Sequence, residues 1–339
     1  MPDPQARLRN LAGLATRARP ECGSTPATIA FAENKWRLVR YDARPEGLAY
    51  RHPVLMVPSL INRHYVLDLM PGKSLAEWLV GRGHDVFCID WGTPGPEDRY
   101  VDLRDIADRY LGRAVRVTTR LAGHRPHLLG YCMGGTLAAV HASLHPDRIA
   151  SLATMAAPVR FDGDGLLERW TRTRGFDVDA LVDATGNVPW QLLQGSFHML
   201  RPTNNLTKLV NLVDRAWSDP FLDGFLALET WANDNVSLPG AFYRSWICDF
   251  YRDNRLWDRS LTVGGQPADL GAITCPVLAV SFEADTIAPA AACDALVEIV
   301  AASDKRAVRL PGSHIGGTTS SAAAKNLWPL LSEFWRARD

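Results

Sequence analysis

Short apolar and β-branched runs alternate along the chain with stretches whose apolar positions recur every three or four residues. Arg37–Tyr41, Val54–Val57, Asp85–Asp90, His127–Cys132, Ala150–Met155, Val277–Phe282 and Arg306–Leu310 have the length and composition of strands. Between them Ser74–Gly83, Leu103–Ala122, Met133–Leu144, Pro289–Ala302 and Ala322–Arg338 follow the helical period. Strand, helix, strand, helix in succession predicts a mostly parallel sheet with helices on both faces. The alternation stops between about Phe161 and Ala272, where tryptophan, asparagine and aromatic residues cluster without clear strands. The predicted division is therefore a core of residues 29–160 and 273–339 and a largely helical lid over 161–272. Such a lid would cover the carboxyl edge of the sheet, where open α/β sheets bind ligands. Residues 1–28 form a basic amphipathic segment with Leu8, Leu11 and Leu14 on one helical face. Its expected state is a frayed terminal helix, with docking on a partner or lipid-like surface, or a transit-peptide role, as alternatives.

Composition narrows the function classes. The 339 residues are 47% hydrophobic, and 37 basic side chains balance 37 acidic ones, so nothing points to nucleic acid or an acidic membrane as partner. Six cysteines (Cys22, Cys88, Cys132, Cys248, Cys275, Cys293) show neither a C-x-x-C pair nor metal-ligand spacing, as expected of reduced thiols in the cytoplasm. No apolar run approaches the ~20 residues that span a bilayer. No transmembrane segment, metal or cofactor is expected.

The chemistry is written in HLLGYCMGGTLAA, residues 127–139, where a cysteine stands between glycines after a strand-like run and before a helical one. The pattern is the G-x-S-x-G nucleophile elbow of α/β-hydrolases with cysteine in place of serine. Gly130 and Gly134 leave room for the close backbone crossing, and Cys132 falls at a helix N-terminus, which favours thiolate. The amide of Met133 is the expected first donor of an oxyanion hole; the second is expected from Leu60 or Ile61 in the PSLINR loop. The other five cysteines lack flanking glycines and read as small buried apolar residues.

A thiol nucleophile needs a base and the base an orienting group. In this fold they follow the nucleophile in the order acid, histidine, each after a strand. EADTIAP after VLAVSF offers Asp285, with Glu283 as rival; PGSHIGG after AVRL offers His314. His127, His141 and His145 lie on strand or helix faces and read as packed or surface histidines.

Cysteine also carries information about the reaction. An acyl group moved from a thioester to a thiol stays activated, so a cysteine suits a transferase that loads from coenzyme A and delivers to a hydroxyl while water is excluded. Trp170, Trp190, Trp217, Trp231 and Trp246 could supply a dry cover.

From about Thr25 to Arg336 the chain resembles the cysteine-dependent polyhydroxyalkanoate synthases, in the short class III type. The resemblance runs through INRHYVLDLMPGKSLAEWL, GHDVFCIDWG, GYCMGGT, TGNVPWQLL, LVNLVD, DFYRDNRL, VGGQPADLGAITCPVLAV and PGSHIGG. It implies polymerisation of 3-hydroxyacyl-coenzyme A into a polyester with release of coenzyme A. It also implies Cys132 as nucleophile, His314 as base and Asp285 as the group that orients it. Further implications are a homodimer, a class III accessory subunit and location at storage granules. Thr286 departs from the histidine that commonly follows the aspartate in relatives, which bears on substrate contact or dimer geometry. If the cover admits water, the same three groups make a thioesterase or an esterase or lactone hydrolase. A catalytically silent scaffold is the third reading.

Overall fold

The computed structural model describes residues 3–200 and 204–339. Eight strands form one sheet: β1 (Ala27–Glu33), β2 (Trp36–Tyr41), β3 (Val54–Val57), β4 (Val86–Asp90), β5 (His127–Tyr131), β6 (Ser151–Met155), β9 (Val277–Phe282) and β10 (Lys305–Leu310). A two-stranded hairpin, β7 (Thr262–Val263) with β8 (Gln266–Pro267), stands apart. The sheet order is β1-β2-β4-β3-β5-β6-β9-β10. From β4 to β10 all pairs are parallel, while β2 joins β4, and β1 joins β2, antiparallel. Every residue of β3, β5, β6 and β9 is buried, which accounts for their unbroken apolar runs. The edge strand β10 exposes Lys305, Arg306 and Ala307 instead, and charge on an edge discourages pairing with other chains.

Strand β1 is absent from the sequence prediction. It pairs with β2 through a tight hairpin at Asn34–Lys35, where Asn34 takes φ 53°, a conformation that asparagine tolerates better than most residues. The strand begins at Ala27, so the amino-terminal segment ends earlier than residue 28. Two predicted helices also differ. Leu103–Ala122 contains a π-helical turn at Asp105–Tyr110 before the α-helix Leu111–Ala122, and Pro289–Ala302 divides into Ala290–Asp294 and Leu296–Ile299.

Between β6 and β9 the chain builds helices at Leu166–Arg172, Val178–Thr185, Trp190–Leu200, Asn204–Arg215, Asp219–Asn233 and Gly240–Ser245, then a π-helical turn at Trp246–Arg252. Phe161, Phe242, Trp246 and Phe250 form an aromatic stack under this insert. The insert is tied to the loop after β3. Val236 N donates to the Ile61 carbonyl (2.9 Å), Trp231 Nε1 to the Arg63 carbonyl (2.9 Å), and Arg63 Nε to Asp234 Oδ1 (2.9 Å). Of the five tryptophans read as a cover, Trp231 and Trp246 are buried, Trp170 and Trp190 half-buried, and Trp217 exposed.

The amino-terminal helix Pro4–Gly13 is not frayed: it docks on the chain's own insert. Leu11 and Leu14 pack against Leu212, Ala216 and Leu222, and Arg17 pairs with Asp219 (2.8 Å) and Asp223 (2.7 Å). Leu8 points outward, 69% exposed. Beside it the helix Asn204–Arg215 exposes Leu206, Leu209, Val210 and Val213 along one face, with Trp217 just beyond. Among the described residues no helix is long and apolar enough to cross a membrane.

Candidate active site

Cys132 follows β5 directly, with φ 54° and ψ −131°, and caps the helix Met133–Leu144. The position lies where the chain switches from building the sheet on the β4 side to building it on the β5 side, the usual ligand edge of such sheets. Its amide donates to the Met155 carbonyl (2.9 Å), and its carbonyl accepts from Gly135 N (2.9 Å). The glycines around it are dictated by space. A Cβ on Gly130 would lie 2.2 Å from Gly135 Cα, and one on Gly134 would lie 2.2 Å from the Val57 carbonyl oxygen and 2.3 Å from that of Pro58.

The loops after β9 and β10 bring Asp285 and His314 to the same edge. His314 Nδ1 lies 2.7 Å from Asp285 Oδ2, and His314 lies close enough to Cys132 to feel the charge of a thiolate there. Asp285 is fixed from its other side, where Oδ1 accepts from the amides of Ile287 and Ala288, both at 2.9 Å. Its side chain has no exposed surface and that of His314 has 11%. Burial works against an imidazolium at His314. The charge of a Cys132 thiolate, then the hydrogen bond to Asp285, outweigh it and raise the His314 pKa to about 10. Glu283, the rival acid, is exposed, and so is Thr286.

Met133 and Leu60 have amides with no hydrogen-bond partner among the described residues, whereas Ile61 N donates to Ser59 Oγ (3.4 Å). Trp91 Nε1 donates to the Pro58 carbonyl (2.9 Å) and so holds the loop that carries Leu60 against the helix N-terminus. A small cavity of about 40 Å³ opens beside Leu60, between Trp36, Trp91, Tyr110 and Leu238; Cys132 does not line it.

Two tyrosines at the site were not singled out from the sequence. Tyr131 packs its ring 5.4 Å from that of His314 and donates its hydroxyl to the His314 carbonyl (3.4 Å). Tyr251, from the insert, has its hydroxyl held protonated by burial first, then by the charge of Glu168, and after these by a thiolate at Cys132. Tyr131 was signalled by its place inside the elbow; Tyr251 had no local signal. The other five thiols are held protonated: burial raises Cys22, Cys88, Cys248 and Cys293, and takes Cys275 to about 11.

A sequence family described as alpha/beta hydrolase fold matches residues 52–316, and one described as the poly-beta-hydroxybutyrate polymerase (PhaC) N-terminus matches residues 20–79. The poly(3-hydroxyalkanoate) polymerase subunit PhaC of Allochromatium vinosum is 36% identical over 324 residues, 94% of this chain and 90% of that one. The chain belongs to the poly(3-hydroxyalkanoate) polymerase family. Its fold is that of the α/β-hydrolases and its class that of acyltransferase-type synthases. The Synechocystis subunit of the same name is 34% identical over 98% of this chain and 89% of its own length. The Haloferax mediterranei subunit is 35% identical over 93% of this chain, which spans 65% of that relative. Among solved structures, the Paleococcus ferrophilus monoacylglycerol lipase matches with a TM-score of 0.54 at 17% identity, over 90% of this chain and 100% of that one. A thioesterase domain from the curacin biosynthetic pathway gives 0.52 at 14% identity, over 89% and 99%. At such identities these two speak for the fold alone.

Proposed function

We propose that the chain polymerises 3-hydroxyacyl-coenzyme A into polyhydroxyalkanoate through an acyl-cysteine intermediate on Cys132. The observation that carries this reading is His314 bonded through Nδ1 to Asp285, beside Cys132 at the elbow, in a chain of the polymerase family. His314 takes the thiol proton of Cys132, and the thiolate attacks the thioester carbonyl. The amides of Met133 and Leu60 stabilise the oxyanion. Collapse forms the acyl-cysteine and expels the coenzyme A thiolate, which takes the proton from His314. In the second half, His314 accepts the proton of a 3-hydroxyl, whose oxygen attacks the acyl-cysteine carbonyl. An ester forms, the carbon–sulfur bond breaks, and the proton returns to Cys132. Asp285 holds His314 in the tautomer that leaves Nε2 free to exchange that proton. Coenzyme A enters as part of the substrate, and no resident cofactor is invoked.

The division into core and insert supports a role for the insert as the cover that keeps water from the acyl-cysteine, with Tyr251 one of its buried aromatic groups. The exposed apolar face of Asn204–Arg215 we assign to the surface of the growing polyester granule, an apolar counterpart of unlimited extent. A homodimer and a class III accessory subunit belong to the same reading, as does a cytoplasmic, granule-bound location. The test is to incubate the purified chain with 3-hydroxybutyryl-coenzyme A, follow thiol release, and size the extracted product. Long polyester supports the synthase; free 3-hydroxybutyrate assigns the same triad to a hydrolase.

A further inference from the structure

At the opposite end of the helix Met133–Leu144 from Cys132, three side chains converge away from the site described above. His141 and the capping His145 lie one turn apart with ring centroids 4.9 Å from each other. Asp108, from the π-helical turn Asp105–Tyr110, places Oδ1 2.7 Å from His145 Nε2. One potential ligand atom from each of the three lies within 4.8 Å of the other two.

The decisive group is His141, which has no exposed surface. Its Nδ1 lies 2.9 Å from the Ala107 carbonyl oxygen, and a carbonyl can only accept, so Nδ1 carries the proton. Nε2 is left as a bare lone pair, and it has no hydrogen-bond partner among the described residues. A buried acceptor without a donor is destabilising unless positive charge reaches it. An imidazole that gives one N–H to a backbone carbonyl and keeps the other nitrogen bare is arranged as metal-binding histidines are. The helix C-terminus beside His145 adds its own partial negative charge.

We propose that Asp108, His141 and His145 form a binding site for a divalent transition-metal cation of the zinc type, through two imidazole nitrogens and one carboxylate oxygen, with a fourth position open to water. On binding, His145 moves its proton from Nε2 to Nδ1, and the cation replaces the hydrogen bond that now joins Asp108 to His145. Two guanidinium groups oppose the cation: Arg116, against the same Gly112 edge as the His141 ring, and Arg148, whose charge is felt at His141. Asp108 offsets one of these charges. The bound ion would clamp the π-helical turn to the helix whose other end holds Cys132, a structural role independent of the acyl chemistry.

The test uses the full chain carrying Cys132→Ala, so that this thiol does not compete, stripped with a chelator and titrated with Zn²⁺ by calorimetry. Co²⁺ absorption serves as a second probe. One ion per chain is expected, with a rise of a few degrees in Tm at saturation. Asp108→Asn and His145→Gln should each weaken binding about tenfold or more, while the metal-free Tm of each variant stays close to its parent. Absence of saturable binding overturns the proposal. So does unchanged affinity in both variants, which would move the ion elsewhere, for instance to the neighbouring rings of His52, His124 and His127.

Discussion

Replacing Asp285 by asparagine tests the proposed site at its most constrained point. The carboxylate accepts on both sides: Oδ1 from the amides of Ile287 and Ala288, Oδ2 from His314 Nδ1. An asparagine has one oxygen for these two demands. With its oxygen on the two amides, its NH₂ faces His314 Nδ1, which must then lose its proton. The imidazole is forced into the Nε2–H tautomer and has no lone pair for the Cys132 thiol. The flipped amide restores the tautomer but presents NH₂ to two backbone donors in a side chain with no exposed surface. Two buried amides left unpaired, at roughly 1–3 kcal/mol each, disfavour the flip by about 2–6 kcal/mol. At about 1.4 kcal/mol per tenfold, the productive orientation is populated roughly 30 to 10⁴ times less, and thiol release from 3-hydroxybutyryl-coenzyme A should fall by that factor. The upper end agrees with the ~10⁴-fold loss known for this change in a serine-protease triad. Nitrogen NMR of the His314 ring supplies the second readout, because the tautomer should switch. Activity above about a third of wild type, or a large loss with the Nδ1–H tautomer unchanged, would refute the reasoning.

Other outcomes follow from the same geometry. Cys132→Ala should abolish thiol release, and His314→Gln should lower it by several orders of magnitude, since triad members act as a unit; near-normal turnover in either sinks the triad. Gly134→Ala pushes a methyl group into the Val57 and Pro58 carbonyls, displaces the loop carrying Leu60, and should lower stability by about 1–3 kcal/mol in urea melts together with activity. Leu209→Glu with Val213→Glu should abolish binding to polyhydroxybutyrate particles without changing the size of the protein on a sizing column; a change in size instead would make this face an interface between chains. Burial lowers the pKa of His84 to about 4 and that of His127 to about 3. Between pH 6.5 and 4 the unfolded chain therefore holds more protons at these positions, so stability rises with pH there, by up to about 3 kcal/mol per pH unit for the two together. It is lost as pH falls below 6.5. Denaturation followed by circular dichroism should show that slope, shallower in His84→Gln.

Physically, the elbow ties fold to chemistry more tightly than any other element. The backbone crossing that needs Gly130 and Gly134 also sets Cys132 at a positive φ on a helix N-terminus. The loop after β3, which meets that helix, is in turn held by Trp91 and by the insert through Val236 and Trp231. A change in the insert can therefore reach the Leu60 amide without touching Cys132.

What the sequence determined by itself is what is local or strictly ordered along the chain. Strands buried on both faces announce themselves by unbroken apolar runs, and VLMV, HLLGY and VLAVSF lie where they were read. The elbow declares itself because close backbone crossing admits nothing but glycine at fixed spacing. Asp285 and His314 could be chosen because each loop follows a strand whose order is fixed by the fold. Tertiary structure decided whatever depends on groups distant in sequence. Strand β1 was hidden because three of its seven residues, ATIAFAE, are alanine, a residue depleted in strands, and only its pairing with β2 holds it extended. The amino-terminal helix found its partner some 200 residues away, in Leu212, Ala216 and Leu222, which no local pattern encodes. That the Ile61 amide meets Ser59 Oγ while the Leu60 amide does not is likewise a matter of how the loop folds. His141 and His145 read as packed or surface histidines, and only the fold shows that the π-helical turn sets Asp108 beside them. Burial, which leaves one imidazole lone pair with no donor to meet it, is a property of the folded neighbourhood and of no residue alone.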